Sequence, residues 1–84
     1  MNKESIFNVI KQKIEYVCSD LDVSGLSSND SLKELGADSM DRAEIIQLSM
    51  HELQLKIPMI EFGRARNIGE LTDIFLLHKI TGQQ

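Results

Sequence analysis

Eighty-four residues, 42% hydrophobic, 26% charged and 5% aromatic with no Trp, supply one domain with an aliphatic core and little material for a deep catalytic pocket. A formal charge of −4 and a pI near 5.0 disfavour nucleic acid, which is bound largely through Lys and Arg displacing counterions, and favour partners with basic surfaces. The sole cysteine, Cys18, excludes an internal disulfide, and no apolar run resembles a leader or a membrane span, so a reducing cytoplasm and no membrane partner are expected.

The first element predicted is a helix over residues 3–20. Ile6, Ile10, Ile14, Val17 and Leu21 recur at three- and four-residue steps and share one face, with Phe7 widening the stripe. Asn2 is its expected N-cap, and Cys18, after Val17 near the end of the pattern, reads as a small buried hydrophobe. Periodicity then stops from Asp22 to Asp38, where Ser24, Gly25, Ser27, Ser28, Asn29 and Asp30 are turn formers. So long a loop in a small domain points to function, and Leu26, Leu32 and Leu35 are expected to pin it. Ser31-Leu32-Lys33-Glu34 matches a capping box that starts a single helical turn, ended by Gly36.

A second helix is predicted over residues 39–55, capped by Asp38, with Asp41 and Glu44 early, where negative charge suits the helix dipole. Its expected core stripe is Ala43, Ile46, Met50, Leu53 and Ile57, with Ile45 and Leu48 to one side. Pro58 breaks the pattern and suits the first position of a short helix through Met59, Ile60, Glu61 and Phe62, which Gly63 ends. The last helix opens on the cap Asn67-Ile68-Gly69-Glu70 and runs to about Lys79, with Ile68, Leu71, Ile74 or Phe75, and His78 on one face. The expectation is an all-α fold, a small bundle of three main helices plus one short helix with a long first loop, forming a single domain over residues 1–84.

The most informative stretch is Leu35-Gly36-Ala37-Asp38-Ser39-Met40. A Gly-bearing turn delivers a serine to the start of an amphipathic helix, where its hydroxyl is exposed and free N–H groups suit a phosphate or phosphodiester. Asp38 beside it caps the helix or orients an incoming group. Asp-Ser is also a common way to begin a helix, and the motif alone leaves that plain capping role open. A hydrolytic serine needs a base, and the only histidines, His51 and His78, lie on helices; His51 is roughly 18 Å along the helix from Ser39. No catalytic residue and no metal ligand set is read from the sequence.

Asp30-Ser31-Leu32, then Leu35 to Met40, then Glu44 and Ile57-Pro58, resemble the pattern of acyl and peptidyl carrier proteins over nearly the whole chain. The resemblance implies that Ser39 receives 4'-phosphopantetheine from coenzyme A through a phosphopantetheinyl transferase. It further implies that the arm's thiol carries an acyl group as a thioester, and that a recognition helix begins at Ser39. Arg42, Gln47, Ser49, His51 and Gln54 dilute the acidic second helix usual in fatty acid carriers, and Arg64 and Arg66 make the later stretch basic. Asp41 to Ile46 and Asn67 to Phe75 are more similar to stand-alone donor carriers of bacterial polyketide β-branching cassettes. That similarity implies acetyl cargo, a hydroxymethylglutaryl-CoA-synthase-like partner, and a ketosynthase-like decarboxylase or acyltransferase to supply it. Met40, Arg42, Ala43, Glu44 and Gln47 are the expected partner contacts on a monomeric carrier, with Arg42 selecting against fatty acid enzymes. The alternatives are a fatty acid or peptidyl carrier and, in a different class, a helical interaction protein without a prosthetic group. A helix-turn-helix nucleic-acid binder is disfavoured because the second helix lacks a basic face.

Overall fold

Asn2 and Ser5 close a reciprocal box at the first helix. Asn2 Oδ1 accepts from the Ser5 N–H at 2.9 Å, and Ser5 Oγ accepts from the Asn2 N–H at 3.1 Å. Two free donors are thereby satisfied, and α1 runs Lys3–Val17 with Ile6, Ile10 and Ile14 fully buried. It stops short of the expected Asp20 because Cys18 leaves helical geometry (φ −114°, ψ 68°) and closes the last turn with its N–H on Ile14 O at 2.8 Å. Ser19 and Asp20, both poor helix formers, follow. Cys18 itself is half-buried against the core. The structure, a computed structural model, describes residues 2–81.

α2 spans Ser39–Leu53, two residues shorter than the periodicity predicted. Gln54 turns to the left-handed region (φ 58°), and the Leu55 N–H folds back onto Met50 O at 2.9 Å. Its core stripe also shifts. Ile45, Ile46, Ser49 and Leu53 are buried, whereas Ala43 and Met50 are half-buried, so the helix is rotated from the expected face. Leu53 O, a free carbonyl at the helix end, accepts from Lys79 Nζ at 2.9 Å.

The short helix is a six-residue 3-10 helix, Met59–Arg64, and it differs from expectation at both ends. Pro58 stands in front of it in an extended conformation (φ −57°, ψ 135°), and Gly63 lies inside it. Its one buried side chain, Phe62, meets Phe75 with ring centroids 5.1 Å apart. Glu61 pairs with His78 Nε2 at 2.7 Å, a second tie to the last helix.

α3 runs Ile68–Thr81. Asn67 Oδ1 accepts from the Glu70 N–H at 2.8 Å, as the motif predicts. The Glu70 carboxylate reaches past the cap residue to the Arg66 N–H at 2.7 Å, and that bond holds its carboxyl below the usual range.

The long loop is built onto this helix start. The N–H groups of Ile68 and Gly69, which a helix leaves unpaired, donate to Asp30 O at 2.9 Å and Ser28 O at 2.8 Å. Val23 and Leu32 are buried beneath the loop, and Leu26 and Leu35 are half-buried. Among the described residues all regular structure is helical. α1 is the common packing partner of α2 and α3, and the 3-10 helix packs on α3. A groove is left between the starts of α2 and α3.

Candidate functional site

The turn before α2 explains how a serine comes to stand exposed. Leu35 N–H bonds Ser31 O at 2.9 Å, one helical turn as the motif predicts, with Ser31 Oγ accepting weakly from the Glu34 N–H at 3.4 Å. Gly36, at φ +104°, then reverses the chain: its N–H bonds Lys33 O at 3.1 Å and the Ala37 N–H bonds Leu32 O at 3.0 Å. This is a glycine-terminated helix end, and only glycine adopts that φ without strain. Leu32 and Ala37 are both buried, anchoring the turn from below.

Asp38 follows in extended geometry, and its Oδ1 accepts from the Asp41 N–H at 2.8 Å. Its carboxylate therefore caps α2, which leaves Ser39 as the first helical residue, exposed, with its side chain at the positive end of the helix dipole. The arrangement suits a phosphodiester on Ser39 Oγ: the residue is open to solvent and its neighbour's charge is already engaged.

The surface around Ser39 divides sharply. Met40 is 80% exposed, on the surface rather than in the core. Glu44 and Gln47 are exposed one and two turns on, and Ala43 lies half-buried between them. Arg42 does not project with them. It is half-buried, and its Nη1 donates to Ala37 O at 2.7 Å, clamping the loop to the first turn of α2. Sequence reasoning missed this contact, since a side chain returning to a carbonyl five residues back leaves no periodic signal. Arg66, further along the chain, pairs with Glu70 at 3.4 Å.

Two hollows flank the start of α2. One, lined by Val17, Cys18, Asp20, Leu35 and Asp41 among others, is acidic. Burial, followed by the charges of Asp41, Asp38, Asp20 and Glu44, pushes the Cys18 thiol up, so it stays protonated and poorly nucleophilic. The other is the groove between α2 and α3, with Arg42 at its wall. Of the two histidines, His51 is exposed on α2 and His78 is engaged by Glu61. No helix of the described residues is long and apolar enough to cross a membrane.

Residues 14–75 match the phosphopantetheine attachment site family. The chain is 47% identical over 74 residues to the polyketide biosynthesis acyl-carrier-protein AcpK of Bacillus subtilis (strain 168), covering 88% of this chain and 90% of that protein. It is also similar to a chain in the crystal structure of the curacin biosynthetic pathway HMG synthase in complex with acetyl donor-ACP. There the TM-score is 0.83 and the identity 48%, over 89% of this chain and 96% of the other. Matched along most of its length by that family, by a polyketide acyl carrier and by a chain of a donor-carrier complex, the chain belongs to the phosphopantetheine-binding acyl carrier family.

Proposed function

We propose that Ser39 is the attachment residue, and that the protein carries acetyl as a thioester on its 4'-phosphopantetheine arm for an enzyme related to hydroxymethylglutaryl-CoA synthase in polyketide β-branching. The observation that carries the first part is the exposed hydroxyl of Ser39 at the first position of α2, behind the Gly36 turn and the Asp38 cap. The second part is supported by the likeness to a polyketide carrier and to a structure of an HMG synthase in complex with acetyl donor-ACP. The unit acts as one domain and as a monomer in the cytoplasm, presents substrate without itself catalysing, and binds neither nucleic acid nor metal.

A phosphopantetheinyl transferase loads Ser39 from coenzyme A. A ketosynthase-like decarboxylase or acyltransferase provides the acetyl group, and the synthase-like enzyme receives it. These enzymes must dock around the attachment point, where Met40, Ala43, Glu44 and Gln47 form the available face. Met40 offers a flexible apolar contact that adapts to different partners. Arg42 acts on partner choice through the loop it clamps.

Intact mass tests the reading directly. Incubation with coenzyme A and a promiscuous transferase should add one phosphopantetheine, and Ser39→Ala should add none while keeping its helical circular dichroism. Acetyl-loaded protein should then be consumed by an HMG-synthase-like enzyme with a β-ketoacyl carrier as acceptor. An unchanged wild-type mass with several active transferases would overturn the attachment. Use by fatty acid ketosynthases equal to that of a dedicated carrier would overturn the β-branching role.

A further inference from the structure

Sulfur is unequally exposed over this fold. Met40, in the first turn of α2 beside Ser39, is 80% exposed. Met59 is 38% exposed, and Met50 is half-buried against the core with its Sδ accepting from the Ile57 N–H at 3.4 Å. A peroxide is attacked by the thioether lone pair, and the charge separation that develops needs water around it. A sulfur in the open therefore reacts ahead of one that is packed or whose lone pair is engaged. The Cys18 thiol competes poorly, because burial and the carboxylates around it keep it protonated and the thiolate is the reactive form.

The same residue provides most of the apolar character of the face around Ser39. Ala43 is small and half-buried, and Glu44 and Gln47 are polar, so Met40 is the one large apolar side chain among the four. Conversion to the sulfoxide puts a strongly polar S=O where a docking enzyme must exclude water. The fold itself loses little, since a side chain this exposed makes few packing contacts.

We propose that Met40 is a reversible oxidation site, and that its sulfoxide weakens docking around Ser39 and so slows both loading and delivery of the acyl group. This rests on Met40 lying in the docking face. In the forward step a peroxide transfers one oxygen atom to Sδ: the O–O bond breaks, the sulfur loses two electrons, and the peroxide is reduced to water or an alcohol. Methionine sulfoxide reductases return the thioether, the oxygen leaving as water while a dithiol is oxidised to a disulfide.

The apo protein is treated with hydrogen peroxide, the excess is destroyed with catalase, and the sites of oxygen gain are mapped by peptide mass spectrometry. Met40 should oxidise at least about twofold faster than Met59, the ratio of their exposures, and well ahead of Met50 and Cys18. The protein oxidised at Met40 should keep its melting temperature. Its loading by a phosphopantetheinyl transferase from acetyl-coenzyme A, and the later acetyl transfer to the synthase-like enzyme, should each slow by about tenfold, the loss that goes with forfeiting roughly half the burial of a Met side chain. The two methionine sulfoxide reductases, one for each epimer, should together restore both rates. Peroxide should leave Met40→Leu at its own untreated rates, while Met59→Leu stays as sensitive as wild type. Oxidation that begins at Met50, Met59 or Cys18 overturns the inference, as does a protein oxidised at Met40 that still reacts at the untreated rate. Slowing that persists in Met40→Leu also overturns it, since the lesion then lies elsewhere. Met40→Gln, a polar replacement that needs no oxidant, separates the premise from the inference: if it is loaded and used as fast as Met40→Leu, Met40 takes no part in docking, whatever its rate of oxidation.

Discussion

Replacing Gly69 by Ala sets two effects of similar size against each other. Gly69 lies in the first turn of α3, and Ala is the better helix former by about 1 kcal/mol in a helix interior, less near an end. Against this, a Cβ at Gly69 would lie 3.0 Å from Ser28 Cβ and 3.2 Å from Ser28 O, closer than nearly all real contacts. Ser28 O is the acceptor for the Gly69 N–H itself, so the loop must retreat from the bond that holds it there. Loss of that bond and of the adjacent Ile68 to Asp30 bond costs about 0.5–1.5 kcal/mol each. The contact should win, giving a net loss of about 1 kcal/mol and a melting temperature lower by about 4–8 °C. Gly63→Ala is the control, because nothing lies within 4 Å of a Cβ there. Thermal unfolding followed by circular dichroism gives the magnitude, and amide hydrogen exchange gives the cause: residues 68 and 69 should lose protection in the Gly69 variant alone. A Gly69→Ala protein that is more stable than wild type, with the Ile68 amide still protected, would falsify the account of how the loop is pinned.

Asp38→Ala removes the acceptor for the Asp41 N–H and should destabilise by about 1 kcal/mol, while Asp38→Asn largely retains stability; denaturant midpoints of the three proteins check the order. Ser49 is fully buried and its Oγ has no hydrogen-bond partner among the described residues. Ser49→Ala should therefore raise stability by about 1 kcal/mol, since an unpaired hydroxyl is removed and helix propensity improves; a loss of that size would show that the hydroxyl is satisfied. Glu44→Arg, on the exposed face one turn beyond Met40, should slow transfer to the partner enzyme with a melting temperature unchanged within about 2 °C, whereas unfolding would assign Glu44 a structural role.

The sequence by itself determined the number and order of helices and the exposed serine at the start of α2. Asn2, Asp38 and Asn67 cap as expected because capping is local chemistry, a side-chain oxygen within three residues of an N–H. The Gly36 turn and exposed Ser39 were legible for the same reason: a positive φ and a helix start are set by neighbours in the chain. Tertiary structure decided what depends on distant groups. Which face of α2 is buried was fixed by packing against α1, so Ile45 and Ser49 displaced Ala43 and Met50 from the core. The ends of α1 and α2 moved inward where the backbone of Cys18 and Gln54 leaves helical geometry. The bonds that pin the long loop were not legible because they run to Ile68 and Gly69, about forty residues away, and no local pattern encodes such pairing. The same is true of Lys33, Arg42 and Arg66: they are scattered in sequence, and only folding brings them to one groove beside Ser39.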